Sequence, residues 1–143
     1  MSEPIEDLLD QVRLLWHVTV QATERLHEDE PVTLGMRAVL EFLARDGPTA
    51  VPSIARSRHV TRQHIQALVN DLLEIRLVSL DDNPAHRRSA LVRLTPDGQK
   101  AIERMKRRER QFLDGLQLKA RPDDLRRASV TLSAVREALG GRP

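Results

Sequence analysis

Apolar positions recur three and four residues apart along most of this 143-residue chain, the period of helices that bury one face. Near the N-terminus, Ile5, Leu8, Leu9, Val12, Leu15, Trp16 and Thr19 form one stripe. Ser2 and Pro4 suit a helix start, and Glu28-Asp29-Glu30 with Pro31 closes the helix after about Leu26. Thr33 is placed to cap a second helix with Met36, Val39, Leu40 and Leu43 on its inner face, and Asp46-Gly47-Pro48 stops it. A short helix from about Pro52 to Arg58 turns Ile54 and Ala55 inward. After a tight turn at His59-Val60, Thr61 caps a helix that runs to about Ile75. One face of that helix is Ile65, Leu68, Val69 and Leu72; the other is Arg62, Gln63, Gln66, Ala67 and Asn70. Two helices joined by so short a turn have helix-turn-helix spacing.

The period then changes. Leu77-Val78-Ser79-Leu80 and Leu91-Val92-Arg93-Leu94 read as two short strands, and Asn83-Pro84 marks a turn between them. A hairpin with the basic tip His86-Arg87-Arg88 follows from that. Thr95-Pro96-Asp97 opens a long helix with a cap, a proline in the first position and an acid in the first turn. Ile102, Met105, Glu109, Phe112 and Leu116 in that helix, and Leu125, Ala128, Leu132, Val135 and Leu139 in a last helix from Pro122, form heptad-like seams suited to a partner helix. There is no internal repeat, and the last three or four residues read as a disordered tail. The order predicts a mostly α fold with a small β-hairpin wing. A winged helix-turn-helix region would occupy residues 33–98, with helical regions at residues 1–32 and 99–143 on either side of it.

Composition narrows the class. The length suits one domain, and the apolar fraction of 40% includes one Trp, two Phe and no Tyr, as expected of helices packed together. The chain has no cysteine, which excludes disulfides, thiolate metal sites and thiol-based redox regulation. No apolar run approaches the length of about eighteen residues that a membrane span needs, and the N-terminus is acidic where a signal peptide is basic. A cytoplasmic protein without a membrane partner is expected. No Ser/His/Asp set, carboxylate pair or phosphate-cradling glycine loop is visible, and Gly98, Gly140 and Gly141 are isolated, so no enzyme is expected. The five histidines lack ligand spacing, so neither a metal nor a cofactor is expected.

Charge is distributed unevenly although the net value is only +2. Residues 1–30 hold eight acidic and two basic side chains, and residues 99–143 hold six acidic and twelve basic. Between Gly47 and Asn70 there is no acid, while Arg56, Arg58, His59, Arg62 and His64 all fall there. Where a capping box would place Glu three residues after Thr61, the chain has His64, which spares a phosphate or base edge from repulsion. The candidate DNA-binding residues are therefore Thr61, Arg62, Gln63, His64, Gln66 and Asn70. Arg62 matches guanine bidentately, and Gln63, Gln66 or Asn70 matches adenine. Arg87 and Arg88 at the hairpin tip suit insertion of one guanidinium into the minor groove with the other on phosphate. Each of these residues singly is also compatible with plain solvated surface. The run Lys106-Arg107-Arg108-Glu109-Arg110 reads as a solvated face or dimer rim in preference to a second phosphate site.

The segments Ser53-Ile54-Ala55, His59-Val60-Thr61, Leu68-Val69-Asn70, Leu72, Leu77-Val78, His86-Arg87-Arg88-Ser89 and Leu94-Thr95-Pro96-Asp97-Gly98 together resemble the MarR family of transcription regulators over essentially the whole chain. The resemblance implies a homodimer formed by the first and last two helices, a double-stranded pseudopalindromic operator, and relief of DNA binding by small ligands, often aromatic acids. It also implies an effector pocket lined by residues such as Trp16, His17, Val20 and Met36, where Trp16 could stack on a ring and a positive side chain hold a carboxylate. Alternatively, Trp16 and Met36 are core and His17 is a solvated or interface residue. The expected function is a ligand-responsive repressor with a small aromatic or anionic effector; the alternative is a winged-helix protein-interaction module without DNA binding.

Three departures from the family pattern stand out. His86 replaces an Asp that orients Arg88, so a looser wing or pH-dependent phosphate contacts are expected. Ala67 replaces a common Arg on the recognition helix. His59 and Arg76 replace glycines, and His tolerates the left-handed conformation that such a turn needs.

Overall fold

The computed structural model describes residues 1–140, so the expected tail falls almost wholly outside the described residues. The elements are α1 (Ser2–Leu26), α2 (Leu34–Asp46), β1 (Thr49–Ala50), α3 (Val51–Arg58), α4 (Arg62–Glu74), β2 (Val78–Asp81), β3 (Leu91–Leu94), α5 (Pro96–Asp114) and α6 (Pro122–Ala138). Their starts follow local hydrogen-bond chemistry. Thr33 Oγ1 accepts the Met36 N–H at 3.3 Å, Thr61 Oγ1 accepts the His64 N–H at 3.1 Å, and Thr95 Oγ1 accepts the Gly98 N–H at 3.0 Å. Each satisfies a donor that the first helical turn leaves without a partner. No helix among the described residues is long and apolar enough to cross a membrane.

Two details differ from the sequence expectation. The sheet has three strands, in the order β1-β3-β2, because Thr49 and Ala50 pair antiparallel with Val92 and Leu91. A strand of two residues has no periodicity to reveal it. Helix α5 ends at Asp114, before Gly115, so Leu116 lies beyond it and leaves the expected seam.

Residues Met1–Phe112 form one compact unit, and the segment from Leu113, which carries α6, forms another. The core of the first unit gathers Val39 and Leu40 of α2, Ile54 of α3, Ile65, Val69 and Leu72 of α4, Val92 of β3, and Ile102 and Met105 of α5, all almost without solvent contact. Ile102 and Met105 are therefore not available to a partner helix, contrary to the seam expected there. They face inward because the Thr95 cap starts α5 directly behind β3, which turns its first apolar positions onto the core. Helix α1 has no fully buried residue, and Leu14, Leu15, Trp16 and Val18 are exposed. In the second unit α6 likewise buries none, with Leu125, Val130, Leu132 and Leu139 exposed.

The join between α4 and α5 is tight. The Thr95 N–H donates to the Leu77 carbonyl at 3.1 Å, and the Thr95 hydroxyl donates to the Arg76 carbonyl at 2.8 Å. Gly98 lies so close that a Cβ there would stand 1.9 Å from the Leu77 oxygen. Arg76 turns the chain with φ 59° and His59 does so with φ 54°, both left-handed positions at which the resemblance implies glycine.

Gly98→Ala is expected to cost at least about 2 kcal/mol, because backbone and not a yielding side chain opposes the new methyl group. Arg76→Gly is expected to stabilise by up to about 1 kcal/mol through relief of left-handed strain. Urea unfolding midpoints at constant m-value measure both; a neutral Gly98→Ala would contradict the close approach.

Candidate nucleic-acid interface

Helix α4 divides its faces as its sequence pattern predicts. Ile65, Val69 and Leu72 are buried, whereas Arg62, Gln63, His64, Gln66, Ala67 and Asn70 are exposed. The left-handed His59 ends α3 and turns the chain into the short link to α4, and Thr61 is engaged as the cap of α4. Arg62, Gln63 and Gln66 line a cleft of about 460 Å³ with Val51 and Pro52 of α3, Leu80 of β2, and Arg88, Ser89 and Ala90 of the wing. No acidic side chain lines it. Folding thus brings Arg88 to the same cleft as three of the helix candidates. Thr61, His64 and Asn70 do not line that cleft, and Arg87 stands apart at the wing tip beside Asp82, Asn83 and Pro84.

The wing tip is built from two backbone bonds and one bond to the Asn83 side chain. The His86 N–H donates to the Asn83 carbonyl at 3.1 Å, the Ser89 N–H donates to the His86 carbonyl at 3.2 Å, and the Ala85 N–H donates to Asn83 Oδ1 at 3.1 Å. Asp81 is the wing carboxylate that pairs with an arginine, and its partner is Arg93 across the strands. Among the described residues Arg62, Arg87 and Arg88 make no ion pair, which leaves three guanidinium groups on this surface uncompensated.

No family model matches the chain. The uncharacterized protein Rv2011c of Mycobacterium tuberculosis is 37% identical over 98 residues, which span 64% of this chain and 68% of that protein. At that level the two belong to one family. YdgG of Bacillus subtilis, an uncharacterized HTH-type transcriptional regulator, is 29% identical over 108 residues, 70% of this chain and 71% of its own. Among solved structures, the MarR family transcription regulator SP03579 superposes with a TM-score of 0.87 at 24% identity, covering 97% of this chain and 92% of that one. This chain has the MarR fold. Staphylococcus aureus MarR in complex with salicylate and kanamycin superposes at 0.86 with 16% identity, over 94% and 91% of the two chains. Bordetella bronchiseptica BpsR, whose DNA binding is regulated by 6-hydroxynicotinic acid, superposes at 0.75 with 19% identity, over 94% and 93%.

In this MarR fold the four expected effector residues do not converge within the protomer. Trp16 is 66% exposed, His17 is exposed and Val20 is half-buried, while Met36 is 5% exposed and belongs to the core. A cavity of about 240 Å³ lies instead at the end of α1, lined by Thr23, Glu24, His27, Glu28, Glu30, Val32, Thr33, Leu34 and Met105.

Beside it runs an ion-pair network that sequence reasoning missed. The buried His27 meets Glu109 Oε1 through Nε2 at 2.9 Å. Arg37 donates to both carboxylate oxygens of Glu109 and to Glu41 Oε2 at 2.8 Å. Arg104 donates to Glu30 at 2.7 Å and Arg108 to Asp29 at 2.6 Å. Lys106 approaches Glu41 at 3.7 Å. The run from Lys106 to Arg110 is therefore not a uniform cationic strip: Lys106, Arg108 and Glu109 face partners in their own chain, and only Arg107 and Arg110 are exposed without one. The opposite charge excess of the two chain ends was the available signal, because it supplies acids to the α1–α2 loop and bases to α5.

Burial pushes the Glu109 carboxyl up, but the hydrogen bonds from Arg37 and His27 outweigh it and hold the group below its ordinary value of 4.5. The Arg104 hydrogen bond, against burial, does the same for Glu30. A depressed carboxylate contributes stability that is full above its unfolded value and is lost as pH falls through the folded one. Stability should therefore drop on acidification below about pH 4.5, the ordinary glutamate value. Glu109→Gln should flatten that acid limb and cost about 2 kcal/mol at neutral pH by removing the charged hydrogen bonds to Arg37 and His27, with Glu41 left as the counter-charge of Arg37. Urea midpoints measured from pH 7 down to pH 3 test this, and an unchanged acid limb in the variant would exclude Glu109 as a contributor.

Proposed function

We propose that the chain is a sequence-specific, DNA-binding transcription regulator that acts in the cytoplasm as a homodimer on a pseudopalindromic operator, as a repressor released by a small aromatic or anionic effector. The observation that carries this is the acid-free cleft shared by Arg62, Gln63 and Gln66 of α4 with Arg88 of the wing. A protein-docking module has no need of such a surface, whereas a duplex presents base edges to the helix and phosphates on either side of it.

In this function Arg62 takes a guanine edge, and Gln63, Gln66 and Asn70 are the amides available to adenine. Thr61 and His64 place the N-terminus of α4 against phosphate, Arg88 enters the adjacent minor groove, and Arg87 takes phosphate at the wing tip. His86 supplies no carboxylate to steer Arg88. The hydrogen bonds that Asn83 and the His86 carbonyl accept hold the wing tip, and so support Arg88.

Support for the homodimer comes from the exposed apolar residues of α1 and, separately, of α6. A monomer gains nothing from Leu14, Leu15, Trp16 and Val18 in water, and covering them needs a second copy. The effector proposal draws on the aromatic acids named for S. aureus MarR and BpsR. Trp16 would stack on the ring and His17 face the acid, beside Val20, at the surface that the partner covers, while Met36, held in the core, would support α2 behind it.

Fluorescence titration of the protein with its own upstream DNA should show the dissociation constant rising at least about a hundredfold between 50 and 200 mM salt, as expected when several phosphates are neutralised. Binding indifferent to salt, or absent at low salt, would transfer the case to the protein-docking module. Arg88→Ala should weaken specific and random duplexes alike, on the order of tenfold; an effect confined to one sequence would mean that Arg88 reads a base.

A further inference from the structure

Gln66 and Asn70 stand one turn apart on the exposed face of α4, and Gln66 Nε2 donates to Asn70 Oδ1 at 2.9 Å. We propose that Gln66 is the adenine reader of this helix and that Asn70 is its positioning residue, not a second reader. The assignment rests on the DNA-binding function proposed above and divides roles that the residue types alone leave equal.

A bidentate match to adenine needs one carbonyl oxygen for N6–H and one N–H for N7 from the same amide. Gln66 has two N–H groups and one carbonyl oxygen. With one N–H given to Asn70, Oε1 and the second N–H remain free. Asn70 is less free: one of the two lone pairs of its Oδ1, the acceptor that adenine N6–H would need, already takes Gln66, which ties the side chain along the helix. Turning Asn70 to a base would break that bond and release the longer side chain.

Placement agrees with this division. Gln66 lines the cleft with Arg62 and Arg88, and Asn70, one turn farther from the helix N-terminus, does not. Recognition helices contact base edges chiefly with their N-terminal residues. A free glutamine must surrender several rotamers on binding, and the bond to Asn70 removes part of that loss beforehand. Gln63, the other glutamine at the cleft, makes no side-chain hydrogen bond among the described residues, so it lacks this preparation.

Selection of binding sites from a randomised duplex library, using the full chain and its variants, tests the division. The unaltered protein should select one adenine position per half-site, preferred over each other base on the order of tenfold. Gln66→Ala should erase that preference. Asn70→Ala should lower it about threefold at the same position and alter no other, and the double variant should match Gln66→Ala there. Asn70→Asp keeps the acceptor, so it should retain the adenine preference while its charge weakens binding to every sequence. A different base position relaxed by Asn70→Ala, or losses that add in the double variant, would overturn the division and make Asn70 a reader. A library from which the unaltered protein selects no motif would instead remove the DNA-binding function itself.

Discussion

The carbonyl of Leu77 is where the fold is joined. It accepts the Thr95 N–H and stands against Gly98 with no room for a methyl group between them. The adjacent Arg76 carbonyl takes the Thr95 hydroxyl. The end of α4, the start of β2, the end of β3 and the head of α5 are thereby tied within a few residues. Because α5 starts there, its Ile102 and Met105 fall onto the core beside α2 and α4. The presentation of Arg62, Gln63 and Gln66 depends on the same join, since it fixes where α4 ends and the wing begins.

Electrostatics sorts the remaining surface. The acids of the α1–α2 loop neutralise Arg104 and Arg108, and Glu109 serves Arg37 and His27 together. Partly buried charges of this kind need their partners, because an unpaired one keeps the cost of desolvation without the compensating attraction. At the cleft of α4 and the wing the effect is by omission. The cleft of α4 and the wing receives no acid, so its guanidinium groups stay uncompensated and available to an anionic polymer. A net charge of +2 conceals this segregation.

Much of the fold was legible along the chain. Thr33, Thr61 and Thr95 cap helices as their positions indicated, and the inward face of α4 is the apolar one. His59 and Arg76 take the left-handed conformation at the places where the family resemblance implied glycine. What escaped notice was either too short or too distant in sequence. Strand β1 consists of two residues, and the partners His27–Glu109 and Glu30–Arg104 are separated by most of the chain. The effector set failed to converge because Met36 points into the core while Trp16 points out of α1.

Caps, periodicity and the missing acids are properties of neighbouring residues, so the order of residues alone decides the helices, the polar face of α4 and its freedom from negative charge. Which of those polar groups meet is a matter of distance between segments. Only the folded chain sets Arg88 beside Arg62, Gln63 and Gln66 and leaves Arg87 apart. Only there is the heptad-like run of α5 divided between a core that takes Ile102 and Met105 and an exposed Phe112. The physical reason is that a periodic apolar stripe specifies that a face will be covered, whereas the object that covers it is chosen by packing across the whole unit.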